Sequence, residues 1–236
     1  MAIATPNSHP WRPRSDTGGE QALAAILDAA AAGTYPPADG TVTILGQPSH
    51  RDAGVISLTG CSVVFANTDP AWIEAQLPPG DLSEPLSARF LAALGQRLGR
   101  RSRGVDMLTC AAAMAGPPPA DLALVELRAS DARSHPRVAR ALLYRDDVRA
   151  WQAPGGIVLI GRGVAGRWEV AIEVGPENRG RGVGTRLANA ARHLVPPGRP
   201  LWAQIAPANA VSVRAFLAAG FRPVGAEALL IHDQPA

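Results

Sequence analysis

A β-branched run, Val170-Ala-Ile-Glu-Val174, leads into Gly175-Pro-Glu-Asn-Arg179-Gly180-Arg181-Gly182-Val183-Gly184. After it, Val183, Leu187, Ala190 and Leu194 recur at helical spacing. Residues 182–194 therefore read as an amphipathic helix, stopped by Pro196-Pro197-Gly198. Strand, glycine-rich turn and helix in this order restrict the chain to folds containing a β-loop-α unit. Glycines at these positions let successive backbone N–H groups turn toward one anion, and a helix N-terminus adds about half a positive charge. A pyrophosphate suits such a seat. The loop is not a Walker motif, because it lacks Gly-Lys-Ser/Thr at its end. A plain glycine-rich turn that caps a helix is the competing reading.

A second glycine pattern, Gly161-Arg-Gly163-Val-Ala-Gly166, matches GxGxxG to the letter. A dinucleotide site requires a helix to start inside that motif. The next residues, Arg167-Trp-Glu169-Val-Ala-Ile-Glu173-Val174, are strand-like instead. This pattern reads as a hairpin turn.

Around these signals the chain divides at Ala115-Gly116-Pro117-Pro118-Pro119, the clearest linker composition in the sequence. Residues 1–19 read as a flexible lead-in, 20–114 as an accessory α/β domain and 120–236 as the domain that carries the chemistry. In the first half, 20–32 reads as a helix stopped by Gly33. Residues 41–45, 54–58 and 61–66 read as a three-strand meander, 70–77 and 86–98 as helices, and 105–111 as a strand. In the second half, strands are expected at 122–127, 147–151, 156–161, 167–174, 201–205 and 224–231. Helices are expected after His135-Pro136, over 182–194 and over 210–219, the last with Asn209 as N-cap and Gly220 as stop. Mixed strands and helices about an antiparallel-rich sheet make the class α/β or α+β.

Two stretches, taken together, resemble the GNAT superfamily of N-acetyltransferases. The run from Val170 to Leu187 resembles its acetyl-CoA signature, Arg/Gln-x-x-Gly-x-Gly/Ala after a strand. Asn209-Ala-Val-Ser212-Val-Arg-Ala-Phe216-Leu-Ala-Ala-Gly220-Phe221 resembles its second signature, an Asn that opens a helix ending in Gly-Phe. The resemblance covers about the second half of the chain. It implies a mixed, mostly antiparallel sheet flanked by helices. It also implies an acetyl-CoA-dependent transfer to a primary amine, on a small molecule or a peptide. By the same resemblance, the backbone of Ile172, Glu173 and Val174 would bond the pantetheine arm. The loop Arg179, Gly180, Arg181, Gly182, Val183 and Gly184 would hold the pyrophosphate, with Asn209 and Phe216 facing the cofactor. The strands ending at Val174 and spanning 201–205 would splay around the thioester.

Phe216 is the departure. Many GNAT enzymes carry a Tyr there, thought to protonate the departing thiolate. A thiol pKa of roughly 8.5 still makes thiolate a tolerable leaving group. Water or Tyr144 are alternatives, and packing of the Tyr144 ring is the plain reading of that residue. The acceptor amine must lose a proton before attack. Glu169 and Glu173, four apart on one strand, share a face and are candidate bases. Burial would raise either pKa toward a useful range; exposure or pairing with arginine is the competing expectation. A protein that kept the cofactor slot but lost turnover is the alternative function, and a longer-chain acyltransferase is a further one.

The first half has no phosphate loop. It is readable as a degenerate GNAT-like half or as a small domain that covers the acceptor side or a dimer contact. All 23 basic residues are arginine, and the net charge is +3. Arg97, Arg100, Arg101 and Arg103 cluster after an expected helix, where cations suit the dipole, and they do not argue for nucleic acid. Cys61 and Cys110 lack metal or CxxC spacing and read as buried thiols. The five histidines are scattered, so no metal site is expected. No apolar run approaches the roughly 20 residues of a membrane helix, and no secretory h-region is visible. A cytoplasmic location is the expectation, and a homodimer is compatible with it.

Overall fold

The computed structural model describes residues 18–232; the lead-in expected at the N-terminus falls almost wholly outside them. The helices are α1 (Gly19–Ala31), α2 (Pro70–Gln76), α3 (Ala88–Leu98), α4 (Ala129–Ser134), α5 (Pro136–Leu142), α6 (Val183–Ala191) and α7 (Ala210–Ala218). The strands of the first half are β1 (Val42–Leu45), β2 (Gly54–Leu58), β3 (Cys61–Phe65), β4 (Arg100–Ser102) and β5 (Asp106–Ala111). Those of the second half are β6 (Val125–Glu126), β7 (Asp146–Ala153), β8 (Gly156–Arg162), β9 (Trp168–Val174), β10 (Leu201–Ile205) and β11 (Arg222–His232).

The main path of the sheet runs β1-β3-β2-β11-β5-β10-β9-β8-β7-β6, with β4 paired to β11 off that path. Among the described residues, only β1/β3 and β9/β10 are parallel; the other ladders are antiparallel. This is the mixed, mostly antiparallel class expected from the sequence, with helices on both faces.

Alternation along the strands assigns the helices to faces. Leu201, Ala203 and Ile205 of β10 pack with Leu187 of α6 and Phe216 of α7, while Trp202 between them packs with Leu23 and Leu27 of α1. On β8, Val158 and Ile160 join the α6/α7 core, and Ile157 and Leu159 meet Val138 and Ala141 of α5. On β2, Ile56 faces α1 and Val55 faces Phe90 and Leu94 of α3. Thus α1, α4 and α5 cover one face, and α2, α3, α6 and α7 the other.

Each side of the sheet repeats one pairing pattern. The run β1-β3-β2-β11-β5 is parallel once and then antiparallel three times. The run β10-β9-β8-β7-β6 has the same sequence of pairings. The chain does not respect the division, however. Strand β11, from the C-terminal end, completes the first run, and β5, from before the Pro117–Pro119 segment, lies between β11 and β10. The linker-like segment thus joins two stretches that share one sheet.

The three-strand meander expected over 41–66 does not form. β2 and β3 make a hairpin, but β1 pairs with β3 in parallel. The far edge of β2 is taken by β11, which leaves β3 as the available edge for β1. Of the arginine cluster, Arg97 lies in the last turn of α3 as expected, and Arg100 departs from expectation. Arg100 is buried in β4 and donates to the carbonyls of His50 at 2.6 Å and Arg51 at 2.7 Å. Directly after the α3 cap, it ties a loop to the sheet through these carbonyls. Both cysteines are buried free thiols, and burial pushes both thiol pKa values up.

Candidate active site

The site begins where two parallel strands stop pairing. The β9/β10 ladder holds two residue pairs, Leu201↔Trp168 and Trp202↔Glu169. Beyond them β9 continues to Val174 and β10 to Ile205 without a shared ladder. A cavity of about 590 Å³ lies in this region. Its walls are Glu169 to Ile172 of β9, Gln204 and Ile205 of β10, and Asn209, Ser212 and Phe216 around α7. The opposite wall is α5 with Tyr144 and Arg145 behind it, together with Arg51, Arg103 and Asp106 from the first half.

The glycine loop opens beside the cavity. Gly180 and Gly182 have φ of +72° and +76°, a conformation that glycine adopts at no steric cost. A Cβ at either position would meet nothing within 4 Å, so neither glycine is crowded by the rest of the chain. Gly182 caps α6 without any side-chain hydrogen bond, and no acidic residue occupies the first turn. The first amides of α6 are therefore free to serve an outside acceptor. Arg179 and Arg181 are exposed and have no ion pair among the described residues. Gly184 lies against α7 and β9: a Cβ there would stand 3.6 Å from Ala215 and 3.7 Å from Ile172, which itself lines the cavity. These features fit the pyrophosphate and pantetheine of a coenzyme A thioester.

The floor of the cavity is charged. Glu169 accepts from Arg145 Nε at 2.8 Å, Arg167 Nε at 2.8 Å and Gln204 Nε2 at 3.0 Å. Glu227 accepts from Arg167 Nη2 at 2.9 Å and Gln204 Nε2 at 2.8 Å. Its other oxygen stands 2.6 Å from Arg167 Nη1, a charge contact too bent for a hydrogen bond. Glu169, Glu227 and Arg167 are all buried. Burial alone would raise the pKa of Glu169, but Arg167 and Arg145 override it and hold the carboxyl at about 2. The rise expected for a buried carboxylate therefore does not occur there. Burial does push Glu227 up, against the pull of Arg167. A side chain at Gly163 would collide with the Glu169 carboxylate. That close approach explains the glycine in the hairpin turn between β8 and β9, where a turn was expected.

The other sequence-predicted residues are distributed around this floor. Glu173 is exposed at the far end of β9, its Oε2 3.7 Å from Arg137 Nε. Arg137 also donates to the Ile172 carbonyl at 2.6 Å. Tyr144 lies just past α5 and lines the cavity. Phe216 is buried and meets Phe221 edge-on at 4.9 Å. Asn209 caps α7 by accepting from the Ser212 amide at 3.1 Å. Asp106, Gln204, Glu227, Arg140 and Arg145 were not singled out from sequence. The signal for Glu227 was present: a lone carboxylate inside the apolar run Ala226-Glu227-Ala228-Leu229-Leu230-Ile231.

Among the described residues, no group of three or more His, Cys, Asp or Glu is arranged to hold a metal, and no helix is long and apolar enough to cross a membrane. No family model matches the chain, and no curated protein matches it. Solved structures do. The chain is similar to a GCN5-related N-acetyltransferase from Kribbella flavida, at 16% identity and TM-score 0.39, over 61% of this chain and 64% of that one. It is similar to a putative acetyltransferase of the GNAT family from Novosphingobium aromaticivorans, at 24% identity and TM-score 0.38, over 58% and 69%. A GCN5-related N-acetyltransferase from Sphaerobacter thermophilus matches at 16% identity and TM-score 0.38, over 61% and 56%. The chain thus spans between 56% and 69% of those proteins' lengths.

Proposed function

We propose that this protein is an acetyl-CoA-dependent N-acetyltransferase that transfers the acetyl group to a primary amine by direct attack on the thioester. One observation carries the reading: the parted β9/β10 strands lie beside an uncapped helix N-terminus with an open glycine turn. The loop from Arg179 to Gly184 would hold the pyrophosphate, and the stretch Ile172 to Val174, paired with β8 but not with β10, would receive the pantetheine arm along its β10-side edge. A coenzyme A thioester supplies the activated acetyl group. The residues from 20 to 114 then act as an accessory unit that supplies the acceptor-side wall through Arg51, Arg103 and Asp106. The test is calorimetry with acetyl-CoA together with thiol release across a broad amine panel. Failure to bind acetyl-CoA would end this reading.

Phe216 favours a second reading, a weakly active or inactive protein that binds acyl-CoA. Its ring lines the cavity and offers no proton for a departing thiolate. General acid help is worth about 100-fold or more. In an active enzyme limited by thiolate departure, Phe216→Tyr should gain up to roughly 100-fold in rate, most clearly below the thiol pKa. If Tyr144 or water already delivers that proton, the gain is small, and Tyr144→Phe costs activity when Tyr144 is the donor. If the protein only binds, neither variant turns over any amine while acetyl-CoA affinity stays intact. The pH–rate profiles of the three proteins on the best amine decide between the readings.

A further inference from the structure

The charges around the cavity do not all pair with one another. Arg51 reaches Asp52 and Asp146, each at 3.2 Å. Arg145 is paired with Glu169, and Arg167 with Glu227. Arg137 is committed to the Ile172 carbonyl and lies near Glu173. Three charged side chains of the lining remain: Arg103 and Arg140, both exposed, and the half-buried Asp106. None of the three has a side-chain hydrogen bond or ion pair among the described residues. Arg140 is close enough to act on Asp106 electrostatically, yet the two do not form an ion pair.

The register explains where Asp106 points. It stands opposite Glu227 on the β5/β11 ladder, and residues directly opposite share a face. That is the face of Gln204 and Glu169, with α5 and its Arg140 above. Both groups thus line the cavity, the carboxylate from the sheet and the guanidinium from α5.

Resting on the acetyltransferase reading of this cavity, we propose that the acceptor is a small zwitterion, an α-amino acid or close relative, with its ammonium on Asp106 and its carboxylate on Arg140 and Arg103. A guanidinium fork matches a carboxylate well. Such a ligand bridges two groups that form no ion pair with each other and adds no uncompensated charge. The ammonium loses one proton to the Asp106 carboxylate. The freed nitrogen lone pair bonds to the acetyl carbonyl carbon, the carbon–sulfur bond breaks as the tetrahedral adduct collapses, and the second proton of the nitrogen passes to the departing thiolate, leaving the neutral amide and the free thiol. Burial raises the Asp106 carboxyl above its ordinary range, against the pull of Arg140, which makes it a better proton acceptor than the doubly paired Glu169.

The test uses matched pairs: leucine against 3-methylbutylamine and leucinamide, and phenylalanine against phenethylamine. Thiol release with acetyl-CoA reads turnover. Calorimetry of the same compounds, with and without coenzyme A, reads binding alone. The acid-bearing member should be favoured roughly 10- to 100-fold in kcat/KM and in affinity. That ratio should fall toward one in Arg140→Gln, recover in part in Arg140→Lys, and be weakened in Arg103→Gln. Arg103 and Arg140 are exposed, so these variants should fold, which circular dichroism checks. Equal or reversed preference, or no binding of either amino acid at millimolar concentration, overturns the proposal. If acetyl-CoA fails to bind while the amino acids still bind in an Arg140-dependent way, the acetyltransferase reading falls and the zwitterion site stands.

Discussion

The two parallel junctions in the sheet have similar parts and opposite outcomes. In both, a strand runs next to a parallel neighbour and its chain leaves into a helix on the same face of the sheet. At β3/β1 the ladder is closed along its length, from Val42↔Ser62 to Leu45↔Phe65, and the Ala66 amide extends it by bonding the Leu45 carbonyl. At β9/β10 it stops after two pairs. The turn after β3 ends in Asp69, whose side chain accepts from the Ala71 amide at 3.0 Å, with Pro70 at the first helical position. The turn after β9 ends in Gly182, with no side-chain cap. One helix N-terminus already holds a carboxylate; the other has no side-chain cap and, on the acetyltransferase reading, is left for the pyrophosphate. On that reading a strand–turn–helix unit is not a binding site in itself, but becomes one when the strands part and the cap is withheld.

The floors differ too, and the largest expected effect lies there. Val63 and Val64 of β3 are packed in apolar cores. On β9, Glu169 is locked between two arginines. Glu169→Gln leaves Arg145 and Arg167 short of a partner and should cost about 3–5 kcal/mol, read from urea midpoints. The depressed pKa sets the sign of the pH dependence. Stability from Glu169 is complete above its ordinary value of 4.5 and fades as pH falls toward about 2. Glu227, pushed up by burial, works in the opposite sense: its contribution is present below its ordinary value and lost as pH rises through the raised one. The gap between wild type and Glu169→Gln should therefore narrow between pH 4.5 and 2. A gap that stays constant over that range would mean that the pair carries no such linkage.

The next effect would erase the difference between the two turns. Gly182→Asp gives α6 the carboxylate that α2 already has. It should weaken acetyl-CoA binding by more than about 100-fold, because like charges in one seat cost several kcal/mol. The fold should survive at a cost of about 1 kcal/mol for the positive φ. Calorimetry and a thermal melt separate the two effects, and unchanged affinity would break the comparison. Gly184→Asp differs: its Cβ would sit in ordinary contact with Ala215, Ile172 and Val174, which places a carboxylate beside apolar side chains, so stability should fall along with affinity.

The smallest effect comes from the reverse change. Asp69→Ala removes a cap and should cost about 1 kcal/mol, but it should create no binding site, because the β1/β3 ladder stays closed. A titration should still give one acetyl-CoA per chain. A second site would show that the cap alone kept the first half from binding.

Much of this was legible in the sequence because it is local. The glycine turn, the Asn209 cap, the Gly220 stop and the hairpin reading of Gly161 to Gly166 depend on residues a few positions apart. Periodicity and turn chemistry report such features directly. The bounds of β8, β10 and α7 came within about two residues for the same reason.

Pairing was not legible. Nothing near Val42 says that its partner strand lies beyond a hairpin, and nothing near Asp106 says that residues 201–205 and 222–232 will enclose it. Edges are chosen by competition across the whole sheet, and β11 won the edge of β2 over β1. The charged floor depends on the same choice. Arg145, Arg167, Glu169, Gln204 and Glu227 come from separate strands and turns, and only the strand order brings them within hydrogen-bond reach. By itself the sequence determined most of the longer strands and helices and where a backbone could cradle an anion, but not β4, α4 or the shortening of the 122–127 strand to Val125–Glu126. The tertiary structure decided which of two similar junctions stands open, and which carboxylates are held down or pushed up, because burial and charge are properties of neighbours in space.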